Sequence, residues 1–172
     1  MREFFIYNRL SPKSGNCFAV CFIKGCELLK DSKLKKVDRP ELVVFSKDSL
    51  MFSDKREFKQ AVDYLIKNHY QAKVMDPNPG DDWGPNLNRI SLTKKRYKKA
   101  DIYKLAKNKW CVIPSVLGIN NKTAHAVLIY KNRIYDPINE EKWNKKIALR
   151  GFARYFPKED NNRFLLAFKA LV

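Results

Sequence analysis

Three side chains of this 172-residue chain are of the types that together attack a carbonyl: Cys17, His125 and Asp136. Cys17 follows Gly15-Asn16 and opens the apolar run CFAVCFI, whose length with the residues after it favours a buried helix over a strand. Asn16 is a good N-cap for that helix. A thiolate is the reactive form of cysteine, and a helix N-terminus favours negative charge. An imidazole beside the thiol completes the ion pair and later protonates the leaving group. His125 sits in the β-branched run TAHAVLIY. A carboxylate on a neighbouring strand holds such an imidazole in orientation. Asp136 follows the run RIY, and Lys131-Asn132 between the two runs reads as a tight hairpin turn that folds Asp136 back beside His125. The first N–H groups of the helix are the natural donors to an oxyanion.

Each member also has a structural reading. A cysteine at the start of an apolar helix is commonly core, a histidine between apolar residues can be a satisfied core histidine, and Asp136-Pro137 can begin a turn. The combination and its order carry the argument. The sequence has only two histidines, and His69 ends an amphipathic segment, where it can complement a helix dipole. His125 is therefore the candidate base.

The other chemistry-bearing residues point less far. Cys17, Cys21 and Cys26 crowd into ten residues of one helix, with Cys111 distant, which favours reduced thiols over a disulfide scaffold. Their spacing lacks the paired knuckles of common zinc modules, so no metal is expected there. Asp76, Asp81 and Asp82 lack the spacing of an EF-hand. No glycine-rich phosphate cradle is present, and no cofactor is expected.

The elements that would position the triad follow from periodicity. Lys55 to His69 places Phe58, Val62, Leu65 and Ile66 at helical spacing, with Ser53 or Asp54 as cap. Residues 41–46 and 70–75 read as strands. A Pro/Gly-rich loop spans Asp76 to Pro85, with Trp83 expected over substrate or core. A short helix is predicted near 99–108, then strands over 110–117, 124–130, 133–136 and 164–172. Helices early and antiparallel strands late make an α+β pattern. Residues 1–172 are expected to form a single domain.

At these residues the chain resembles the papain-like cysteine peptidase superfamily, in its compact bacterial and phage branches. The likeness rests on Asn16-Cys17-Phe18-Ala19-Val20, His125-Ala126-Val127-Leu128-Ile129 and Ile134-Tyr135-Asp136-Pro137. Bacteriocin-leader peptidase domains and some effector proteases are similar. The resemblance implies a papain-like fold, with the N-terminal catalytic helix packed on a C-terminal antiparallel sheet. It covers the two ends of the chain and not residues 30–109. The family's glutamine before the nucleophile, an oxyanion donor, has no counterpart, since Ser11 stands six residues before Cys17, and the resemblance leaves Asn8 and Asn16 as the side-chain candidates for that role. Gly15-Asn16-Cys17 also resembles the nucleophile motif of ovarian-tumour-type deubiquitinases, with Ser14 where those have aspartate.

Charge supplies a second function class. Lys and Arg number 35 against 18 Asp and Glu, a net of +17, and 45% of residues are hydrophobic and 13% aromatic. That apolar content argues against disorder, and no run is long and apolar enough for a membrane span. No secretory signal is legible at the start of the sequence, so a cytoplasmic location is expected. Lys94, Lys95, Arg96, Lys98 and Lys99 begin a basic run, continued by Lys104, Lys107 and Lys109 with Tyr97, Tyr103 and Trp110 interleaved. Such a run is usually a solvated face, yet it is also the composition of a docking surface. The expected function is a thiol hydrolase cleaving amide bonds in a protein or peptide substrate. The alternative is a basic protein of phage or bacterial origin that docks on nucleic acid or an acidic host protein, its triad vestigial. The acidic protein is the preferred docking partner and nucleic acid the second.

Overall fold

The computed structural model describes residues 17–29, 56–117, 124–131, 133–135 and 162–170. The expected strand at 41–46 and the caps Ser53 and Asp54 lie outside them. Helix α1 is Cys17–Leu28 and helix α2 is Arg56–Lys67. Strand β1, Tyr70–Met75, follows, then a 3-10 turn at Pro85–Arg89, strand β2, Ser91–Thr93, and helix α3, Lys99–Lys107. Strands β3, Cys111–Leu117, β4, Ala124–Ala126, β5, Leu128–Tyr130, β6, Arg133–Tyr135, and β7, Asn162–Ala170, complete the described chain. The mixture of helices and one sheet is the predicted α+β class.

The sheet runs β2-β1-β7-β3-β5-β6, with β4 also paired to β3. All these pairings are antiparallel except β1 with β2. The last strand in sequence is thus central in space. Its run FLLAF is apolar without alternation because both of its faces are covered, and Phe164 to Phe168 are all buried.

Two clusters cover the two faces. On the first, α1 and α2 bring Phe18, Phe22, Val62 and Leu65 against Ile113, Leu128, Leu166 and Phe168. On the second, Ile102, Leu105 and Ala106 of α3 cover Val112, Val127, Ile129, Leu165 and Ala167. An N-terminal helical half followed by a strand half is the sequence expectation, and it differs here. Strands β1 and β2 lie between α2 and α3, and α3 forms a layer of its own. Helix α2 ends as a C-terminal histidine can end it: His69 adopts φ 59° and its N–H donates to the Ile66 carbonyl at 3.1 Å.

Candidate active site

Helix α1 lies unusually close to the sheet, and the cause is Gly25. A methyl group placed there would stand 2.7 Å from Cζ of Phe168 and 3.4 Å from a Leu128 methyl. Two buried thiols join the helix to the sheet. Cys21 donates to the Ala126 carbonyl at 3.7 Å, and Cys111 donates to the Gly25 carbonyl at 3.5 Å. These contacts fix how α1 runs. Cys21 abuts Ala126 and Gly25 abuts Leu128, so four helix residues keep step with two strand residues, about 6.0 Å against about 6.7 Å. Continued one step further, the same pitch carries Cys17 toward the Ala124 end of β4, the strand that bears His125.

The first turn of α1 is held by aromatic rings. Phe18 has its ring centroid 4.8 Å from Phe58, 5.7 Å from Phe164 and 6.1 Å from Trp83. Phe58 and Phe164 lie 4.8 and 5.1 Å from Trp83. Trp83 is therefore core, the second of its two expected places, and its Nε1–H donates to Asp76 at 3.0 Å. The other Asp76 oxygen accepts from the Asn78 N–H at 2.9 Å, so this carboxylate shapes the loop. Sequence reasoning saw Phe58 and Trp83 separately. Their meeting with Phe18 and Phe164 has no local signal, because the four come from four segments.

None of the four cysteines is in a disulfide, and they differ sharply in access. Cys21, Cys26 and Cys111 have no exposure, while Cys17 is half-buried at the edge of the first cluster. Burial pushes the Cys111 thiol up, far from the range in which a thiolate forms near neutral pH. Among the described residues no three His, Cys, Asp or Glu side chains gather as metal ligands.

His125 is half-buried and pairs with Val116 across the β3–β4 ladder. Directly paired residues share a sheet face, and Val116 belongs to the second cluster. The structure thus runs α1 along β5 and β4 toward the strand end that carries His125. It sets Cys17 on the first face and His125, by register, on the second. The register is the same on the two sides of Val127, which lies in neither strand: Ser115 pairs with Ala126 and Val112 with Ile129, while β3 shifts register against β7 between Pro114 and Val116. Tyr135, the residue before Asp136, pairs with Leu128. Asp136, Asn16 and Asn8 lie outside the described residues.

Of the basic run, Lys94, Lys95, Arg96 and Lys98 are exposed and Lys99 is half-buried. Two of the three interleaved aromatics are not a stacking platform. Tyr97 is fully buried and donates to the Ser115 carbonyl at 2.8 Å, while Asn162 donates to the Tyr97 carbonyl at 2.8 Å. Trp110 is 6% exposed and lies in the second cluster. An aromatic residue alternating with lysines is equally the pattern of an element with one buried face, and that is its role here.

No family model, no curated protein and no solved structure matches this chain. Among the described residues no helix is long and apolar enough to cross a membrane.

Proposed function

We propose that the chain is a thiol hydrolase of papain-like type that cleaves amide bonds in a protein or peptide, with Cys17 as nucleophile. The supporting observation is the contrast among the thiols. Cys17 alone opens a helix with solvent access, and the pitch of that helix against β5 and β4 runs toward the strand end that carries His125. In this reading Cys17 attacks the carbonyl carbon and a thioester forms as the amine leaves with the proton that His125 took from the thiol. Water then releases the acid, with the imidazole as base, and Asp136 orients the imidazole. The reading makes one geometric demand. The imidazole has to reach Cys17 around the end of β4, since the register puts it on the face of Val116.

The test is alkylation by iodoacetamide at pH 6, with adducts mapped by mass spectrometry. A free thiol of ordinary acidity is only about 0.3% thiolate there. An ion-paired thiolate gains in population what it partly loses in nucleophilicity, leaving an advantage of roughly ten- to hundred-fold. Cys17 should therefore label at least about tenfold faster than an ordinary thiol, and His125→Ala should remove that advantage. Labelling of Cys17 at the ordinary rate, unchanged by His125→Ala, sinks the enzyme reading. The second reading, a basic binding protein with a vestigial triad, is favoured by the placement of Cys17 and His125 on different sheet faces.

A further inference from the structure

Charge is divided between the two faces of the sheet. Among the described residues the carboxylates are Glu27 on α1, Glu57 and Asp63 on α2, Asp76, Asp81 and Asp82 in the loop that carries Trp83 into the first cluster, and Asp101. Only Asp101 belongs to α3, and its carboxylate accepts the Lys98 N–H at 2.8 Å, closing the first turn of the helix. The cations of the second face form a path. Lys104 and Lys107 are exposed on α3, and Lys109 follows in a left-handed conformation, φ 65°. Next comes the Trp110 ring, with the Nζ of Lys73 at 5.0 Å and that of Lys169 at 5.2 Å from its centroid. Lys73 comes from β1 and Lys169 from β7, and both are placed by strand pairing, Lys73 with Ala167 and Lys169 with Gln71. The indole holds both ammonium groups by cation–π attraction and seats their stems.

We infer that this second face, from Lys104 through Lys107 and Lys109 to Lys169 and Lys73, docks on the phosphate backbone of duplex nucleic acid, independently of chemistry at Cys17. Three features choose this partner over an acidic protein or a single strand. The path is all lysine, which reads phosphate as a point charge and has no planar fork for bidentate carboxylate recognition. Tyr97 and Trp110 are buried, so no base can stack on them. A duplex offers one charge per about 1.7 Å of axis, against one per about 3.3–3.6 Å along an extended acidic peptide, and it releases condensed counterions to a lysine row.

The experiment measures binding of the full chain to a fluorescently labelled, random-sequence DNA duplex by anisotropy, from about 50 to 200 mM salt. Log affinity should fall linearly with log salt. The variant K73Q/K104Q/K107Q should lower the slope by about 2–3, near 0.9 per lysine. The variant K24Q/K59Q/K67Q removes the same charge from the other face and should change the slope by less than about 1. Cys17→Ser should bind as the parent does, which separates this result from the fate of the hydrolase reading. Equal losses from the two triple variants would overturn the assignment to this face. Absence of salt-dependent binding, or displacement of the duplex by polyglutamate at equal charge, would overturn the partner.

Discussion

Gly25→Ala is the substitution whose sign tests how closely α1 is pressed to the sheet. On propensity alone it should stabilise, since alanine is about 1 kcal/mol better than glycine inside a helix. The structure opposes that gain. The new methyl would stand 2.7 Å from Cζ and 3.3 Å from Cε2 of Phe168, where carbon atoms prefer about 3.5–4.0 Å. The ring has little room to retreat: its centroid lies 5.3 Å from Phe22 and 6.2 Å from Tyr70, and Phe168 is fully buried. Overpacking of this kind costs about 1–3 kcal/mol, so the net effect should be a loss of up to about 2 kcal/mol. Lifting α1 also stretches the bonds from Cys111 to Gly25 and from Cys21 to Ala126. The assay is urea unfolding, with the parent, Gly25→Ala, Phe168→Leu and the double variant compared as a cycle. Shrinking the ring makes space for the methyl, so the cycle should show coupling of about 1–2 kcal/mol, above the roughly 0.3–0.5 kcal/mol within which independent changes add. A Gly25→Ala protein more stable than the parent by about 1 kcal/mol, with no coupling to Phe168, would refute the close approach and the course of α1 toward the Ala124 end of β4 that rests on it.

Tyr97 predicts an alkaline weakness. Burial raises its phenol above the ordinary value of 10.0, so the folded chain keeps the proton where the unfolded chain releases it. Stability from this group is complete below about pH 10 and falls as pH rises beyond it, by at most about 1.4 kcal/mol per pH unit. Tyr97→Phe should cost about 1 kcal/mol or slightly more at neutral pH by leaving the Ser115 carbonyl without its donor, and should flatten the alkaline fall in urea midpoint. A parent whose midpoint is constant from pH 9 to about pH 11.5 would contradict this. The exchange Ala124→His with His125→Ala moves the imidazole to the register position on the α1 face. It should alkylate Cys17 at pH 6 about tenfold faster than His125→Ala alone, and equal rates would show that Cys17 is not level with that position.

What the sequence made legible was periodicity. The Lys55–His69 pattern, the strand at 70–75 and the late strand runs all returned within a residue or two, because each is decided by its own apolar spacing. Cys17 opening a helix was legible for the same reason. Topology was not. Nothing local in NRFLLAFKA says that β7 inserts between β1 and β3, although its unbroken apolar run is what two covered faces require. Strand β2 was hidden because Ser91-Leu92-Thr93 is too short to show alternation. The second layer was hidden too, since α3 shows a basic face to solvent and a short apolar one to the sheet. The burial of Tyr97 and Trp110 was hidden for that reason, their rings being the buried side of a lysine-rich segment.

The relation of Cys17 to His125 comes down to strand parity. Shifting a strand by one residue exchanges its faces, and in β4 that choice is fixed by packing rather than by chemistry. Ala126 lies beneath α1 with the Cys21 thiol 3.7 Å from its carbonyl, a spacing that only small side chains allow. An imidazole at that position would push the helix off the sheet, so His125 cannot trade places with Ala126 while α1 stays seated. The same close seating that Gly25, Cys21 and Ala126 create therefore bars a histidine from the middle of the helix footprint. It leaves room only where the footprint ends, toward Cys17. A thiol–imidazole pair in this fold has to be built at the end of β4. The proposed chemistry thus depends on how the strand end turns, and the lysine face on the other side of the sheet is free of that constraint.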